Sequence, residues 1–255
     1  MISPLSGKRV LVTRARGQAA TFSRLVEKHG GVSVEIPLIA FKPRLHALQT
    51  LNVSGYEWVV FTSSNGVRFF FQEATLPAKS KVAAVGSKTA KELKKHHVAI
   101  DLLPEDYTAE GLISALSREG KPEETILLPR GNLSRKVLPQ QLEKLGFNVT
   151  DLTIYETVVP EESQAPLVEA ISKREVDVIT FTSSSTVHHF VELLQTKDLQ
   201  ESLKGITIGV IGPITDKTLR SYGLKADVVP DEYTIEGLLQ SLEHYFENRE
   251  DTNER

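Results

Sequence analysis

Residues 84–116 read AVGSKTAKELKKHHVAIDLLPEDYTAEGLISAL, and residues 210–242 read VIGPITDKTLRSYGLKADVVPDEYTIEGLLQSL. Laid over each other without a gap, they share Gly86/Gly212, Thr89/Thr215, Leu93/Leu219, Asp101/Asp227 and Pro104/Pro230. The match continues through Tyr107/Tyr233, Thr108/Thr234, Glu110/Glu236 and Gly111/Gly237. An ungapped run of this length marks an internal duplication. Outward from it, FTSSNGVRFFF at 61–71 is echoed by FTSSSTVHHFV at 181–191, each after a short β-branched run. VLVTR at 10–14 lies over ILLPR at 126–130 with a constant offset of 116, which pairs Arg14 with Arg130 and Gly30 with Gly146. The chain is a duplicated set of three βα units.

The strand candidates RVLVT, WVVFT, KVAAVG, TILLP, VITFT and ITIGVIG alternate with amphipathic helical patterns. That alternation predicts an α/β fold with parallel sheets flanked by helices. Thr108 and Thr234 are suited to cap helices, each with a glutamate in the first turn. Gly30 and Gly146 sit where a left-handed C-cap is expected. The proline-ended segments IPLIAFKP (36–43) and IYETVVP (154–160) read as extended connectors of β character. At 255 residues the chain suits one to two domains.

Composition narrows the function classes. The formal charge of −3 argues against a broad nucleic-acid footprint, which needs a basic face. With no cysteine, disulfides, thiolate catalysis and cysteine-ligated metals are excluded. None of the seven histidines has metal-ligand spacing, and no metal is expected. The opening MISPLSGKRVLVTRA has no apolar core of an export signal, and no window approaches a membrane span. These features together predict a cytoplasmic protein.

The hydroxyl-rich turns Thr62-Ser63-Ser64 and Thr182-Ser183-Ser184 follow strand candidates directly. Such residues can simply cap the next helix, or they can join free helix N–H groups in an anion cradle. The carboxyl ends of parallel strands are where open α/β sheets bind ligands. Thr89 and Thr215, just past Gly86 and Gly212, add hydroxyls at the next such junction in each half. Arg14 and Arg130 end their strands and suit either a ligand carboxylate or a structural ion pair. Tyr155 can be a packing residue or a hydrogen-bond donor. No Gly-x-Ser-x-Gly elbow, full phosphate loop or dinucleotide fingerprint is present.

In order and spacing, VLVTR, FTSSNGVRFF, AVGSKTA, ILLPRG with LTIYET, ITFTSSSTV and IGVIGPITDKTL closely resemble the uroporphyrinogen-III synthase family. The resemblance spans nearly the whole chain. It implies two similar α/β lobes joined by a two-stranded connector, with an early crossover. On this sequence the expected lobes are 1–37 with 161–255, and 42–155, with connectors at 38–41 and 156–160. The repeat alone would suggest a tandem split near residue 120.

The implied reaction converts the linear tetrapyrrole hydroxymethylbilane to uroporphyrinogen III. Water is lost and the terminal ring is inverted through a spiro intermediate, without cofactor or metal. Tyr155 matches the family tyrosine that could donate to the leaving hydroxyl, and Thr89 and Thr215 match its two cleft threonines. Arg14, Thr62, Ser63, Ser64, Gly86, Arg130, Thr182, Ser183, Ser184 and Gly212 are the expected substrate-binding residues. Asp216 stands where the first copy has Ala90, and its side chain is expected to turn away from the anion site. A monomer is expected, with no nucleic-acid or membrane partner. The rival reading is a non-catalytic two-lobed receptor for a small anion.

Overall fold

The computed structural model describes residues 3–44, 46–49 and 51–253. In chain order its elements are β1 (Arg9–Val12), α1 (Arg16–Lys28), β2 (Val32–Glu35), β3 (Ala40–Pro43), β4 (Trp58–Phe61), α2 (Ser64–Glu73) and β5 (Lys81–Ala84). Next come α3 (Ser87–Lys95), α4 (Ala109–Glu119), β6 (Thr125–Gly131), α5 (Val137–Lys144) and β7 (Asn148–Val158). The remainder is α6 (Gln164–Ser172), β8 (Val178–Phe181), α7 (Ser184–Leu194), α8 (Leu199–Ser202), β9 (Thr207–Val210), α9 (Pro213–Ser221) and α10 (Ile235–Asn253).

Contacts divide the chain at Ala40/Phe41 and again at Thr157/Val158. The unit formed by the N-terminal segment and the part from Val158 onward holds a parallel sheet in the order β2-β1-β8-β9. The unit Phe41–Thr157 holds a sheet in the order β3-β7-β6-β4-β5. Within it β7, β6, β4 and β5 are parallel neighbours. The shared part of the two orders is the same once β1 is matched to β6, and β8 to β4. Each unit therefore contains one copy of both repeats, in opposite chain order. A tandem split near residue 120 would part β4 from β6, yet Trp58 lies level with Ile126 and Val59 with Leu127.

Both sheets are covered on two faces, as the near-continuous apolar runs require. Every residue of β4 and of β8 is buried. The two-residue period sends Val59 and Phe61 into one core, and Trp58 and Val60 into the other. In the partner unit Ile179 and Phe181 face one core and Val178 the other. β2 has no fully buried residue, and its weakly patterned VSVE was not among the strand candidates. It borders only β1, so burial did not shape its sequence.

The duplication reaches individual hydrogen bonds. Thr108 accepts from the Gly111 N–H and Thr234 from the Gly237 N–H, both at 2.9 Å. Asp101 accepts from the Val82 N–H at 2.7 Å, and Asp227 from the Ile208 N–H at 2.8 Å. Gly30 and Gly146 have φ of +82° and +92°, where a side chain would be strained. Among the described residues no helix is long and apolar enough to cross a membrane.

Candidate functional site

In each unit the expected binding residues gather at the carboxyl ends of the parallel strands. Thr62–Ser64 follow β4, Gly86 follows β5 and Arg130 lies near the end of β6. Arg14 follows β1, Thr182–Ser184 follow β8 and Gly212 follows β9. The hydroxyl turns are half-buried in both copies. Ser63 caps α2 by accepting from the Gly66 N–H at 3.0 Å, and Ser183 caps α7 by accepting from the Thr186 N–H at 3.3 Å. The capping role anticipated for these serines is therefore real, but it uses only one lone pair.

Within Phe41–Thr157 a cavity of about 520 Å³ opens at these strand ends, lined in part by Thr62, Ser63, Thr108, Arg130, Ser134 and Arg135. The first residues of α2, α4 and α5 lie at or beside its wall, so their unpaired N–H groups suit an anionic guest. Thr89, in α3 of this unit, is 4% exposed, and among the described residues its hydroxyl has no hydrogen-bond partner. Thr215, in α9 of the other unit, is also 4% exposed, and its hydroxyl likewise has no hydrogen-bond partner among the described residues. Gly86 and Gly212 each lie beneath a tyrosine: a Cβ there would sit 3.3 Å from Tyr107 or Tyr233, respectively.

Tyr155 belongs to β7 and is buried. Its ring stacks on Phe69 at 5.0 Å and meets Phe41 edge-on at 5.9 Å. Its hydroxyl lies 3.2 Å from Ser63 Oγ, which joins it to the cavity wall.

The two arginines have diverged. Arg130 is 3% exposed, and its Nε and Nη2 both donate to the carboxylate of Asp151, the latter at 2.6 Å. Nη1 donates to the Arg135 carbonyl, also at 2.6 Å. The bidentate geometry expected for a ligand carboxylate is thus occupied by Asp151, and Arg130 instead pins the loop that walls the cavity. Burial alone would raise the Asp151 pKa, but hydrogen bonds and charge from Arg130 and Lys136 outweigh it and hold it below the ordinary aspartate value. Arg14 has no carboxylate partner among the described residues. It donates to Gln18 at 2.9 Å, and burial lowers its pKa. At the offset of 116, Glu35 occupies the place of Asp151. Its carboxylate is taken by Ser23, where the second copy has Pro139, which cannot donate.

Asp216 pairs through Oδ2 with Arg220 on its own helix at 2.7 Å, while Oδ1 is buried without a partner. Ser184 accepts from Thr218 at 2.8 Å. Among the described residues no group of three or more His, Asp or Glu side chains is arranged to hold a metal ion.

The profile described as uroporphyrinogen-III synthase HemD matches residues 20–240. The chain belongs to the uroporphyrinogen-III synthase family. A uroporphyrinogen-III synthase from Chlorobaculum parvum is 31% identical over 89% of this chain and 94% of its own length. One from Synechococcus elongatus is 28% identical over 95% of this chain and 97% of its own. In fold, the chain is similar to a mutant uroporphyrinogen III synthase from Thermus thermophilus, with a TM-score of 0.63 at 23% identity, covering 95% of this chain and all of that one. Family membership favours an enzyme over the anion-receptor reading. Thr108, Ser134 and Arg135 also line the cavity of this synthase-family chain and carry no sequence signal for that place. Thr108 is marked in the letters only as a helix cap. Ser134 and Arg135 follow ILLPRG in a polar loop, and nothing local marks them.

Proposed function

We propose that this chain is a uroporphyrinogen-III synthase, closing hydroxymethylbilane to uroporphyrinogen III with loss of water and inversion of the terminal ring. Family membership carries the assignment of the reaction. The observation that supports a working site is the meeting of the Tyr155 hydroxyl with Ser63 at a cavity walled by hydroxyls and helix N-termini.

The substrate is a linear polycarboxylate. Its acid arms are served by neutral donors, the Thr62–Ser64 and Thr182–Ser184 turns with the N–H groups of the helices they begin, and by Arg14. Arg130 shapes the wall rather than contacting an acid arm. Gly86 and Gly212 let the backbone at their helix starts approach a ligand, and Thr89 and Thr215 offer their unpartnered hydroxyls to it.

Pyrrole electron density expels the terminal hydroxyl, and the Tyr155 O–H passes a proton to that leaving oxygen so that it departs as water; the pyrrole carbon returns a proton when the ring regains aromaticity at closure. The substituted carbon of the terminal ring then attacks the resulting azafulvene cation, giving the spiro intermediate that reopens and closes with the ring inverted. Unassisted closure proceeds without inversion, so the enzyme's main contribution is orientation. The protein acts as a cytoplasmic monomer. Supplying hydroxymethylbilane and resolving the product isomers tests the assignment: type III is expected, and type I alone would refute it.

A further inference from the structure

The sheet is irregular at Tyr155. β6 and β7 run in register from Thr125↔Asn148 to Arg130↔Thr153, and the next pair is Gly131↔Tyr155. Ile154 is therefore an extra residue, a bulge on β7. In a regular strand neighbouring side chains point to opposite faces, but Ile154 and Tyr155 are both buried in the same core. A bulge resets that alternation and re-aims the residue that follows it. Without it, the Tyr155 ring would turn to the opposite face, away from Phe69 and Ser63.

Two residues just past this point fit the bulge closely. A Cβ at Gly131 would lie 2.6 Å from two ring carbons of Tyr155 and 2.9 Å from its hydroxyl, so only glycine leaves room for the ring. Asn132 then grips the backbone on both sides of Glu156. Its N–H donates to the Tyr155 carbonyl at 3.2 Å, and its Oδ1 accepts from the Thr157 N–H at 2.8 Å. On the other side of β7, the Ile154 carbonyl accepts from the Arg44 N–H at 2.8 Å. The bulge is thus held by hydrogen bonds from both flanks.

We propose that Gly131 and Asn132 are positioning residues that hold the β7 bulge and so set the Tyr155 hydroxyl against Ser63, an inference that rests on Tyr155 as the donor to the leaving hydroxyl. Neither residue touches the reacting atoms; both act through the tyrosine. Gly131 supplies space and Asn132 supplies the backbone clamp. Ser63 Oγ accepts from the Gly66 N–H, and the 3.2 Å contact with Tyr155 admits a donor on either side; in the proposed arrangement Ser63 turns its own O–H toward the tyrosine oxygen. That arrangement leaves the tyrosine proton for substrate.

The test uses the full chain and hydroxymethylbilane, measuring kcat and KM for type III product. Asn132→Ala is expected to lower kcat several-fold, by no more than Tyr155→Phe does, with KM within about twofold of the parent. Asn132→Asp keeps the acceptor for Thr157 and recovers most of that loss. Gly131→Ala, if folded, behaves like Asn132→Ala. In a Tyr155→Phe background, Asn132→Ala should cost nothing further, because both changes remove the same contribution. Losses that multiply in the double variant would overturn the clamp while leaving the role of Tyr155 standing. Parent turnover in Tyr155→Phe would overturn the donor reading and this proposal with it.

Discussion

Replacing Asp151 by alanine isolates the role of the Arg130 pair. Arg130 is 3% exposed, and two of the three hydrogen bonds its guanidinium makes among the described residues end on this carboxylate. Removing one member of a fully buried pair costs about 3–5 kcal/mol, because a charge is stranded without water or counter-charge. Here the Asp151 side chain is 19% exposed and shares Oδ2 with the solvated Lys136, so water can partly replace it. A loss of about 2–3 kcal/mol follows for this partly screened pair. The single tryptophan, Trp58, is buried in β4 beside β6. Its fluorescence in a urea titration therefore reads the unit that contains the pair.

The acid side of stability carries the same signature. The Asp151 pKa is depressed in the folded chain, so its contribution is fully present above the ordinary aspartate value of about 3.9. It is lost as pH falls from there through the lower folded value. Asp151→Ala should flatten stability against pH across that window. A loss below about 0.5 kcal/mol, typical of an exposed pair, with an unchanged acid profile would refute the reasoning.

Further outcomes follow from the same geometry. Thr89→Ala and Thr215→Ala should each lower turnover without abolishing it and barely shift the melting temperature, since neither hydroxyl has a partner among the described residues; complete loss in a folded variant would reveal a nucleophile. Ser63→Ala and Ser183→Ala should each cost about 1 kcal/mol in urea unfolding as caps are lost, and an unchanged midpoint would count against the capping bonds. Gly237→Ala would drive a Cβ into the Glu232 carbonyl, whereas Gly17, in α1, has nothing within 4 Å. Thermal melts should therefore show Gly237→Ala clearly destabilised, and Gly17→Ala unchanged or raised by up to about 1 kcal/mol.

Sequence revealed most clearly what the duplication repeats locally. Thr108 and Thr234, Gly30 and Gly146, and the serine caps each depend on contacts a few residues away, so their spacing is visible in the letters. The hydroxyl turns could be placed at strand ends for the same reason. The grouping of β6 with β4 was not legible from the repeat, which alone suggests a tandem split, because strand order depends on pairings far apart in the chain. The partner of Arg130 lies 21 residues away on the neighbouring strand, and register decides that it is Asp151. Tyr155 was visible as a connector residue, but its direction was not. One extra residue in β7 reverses the face, and nothing in LTIYET marks where the extra residue falls.

Neutral donors at the strand ends are proposed to hold the acid arms of the tetrapyrrole. A crystal structure with bound product tests this most directly. Product carboxylates are expected within hydrogen-bond distance of Thr62–Ser64 or Thr182–Ser184 and the N–H groups that follow them. That role is contradicted if the product lies elsewhere with its carboxylates touching neither turn.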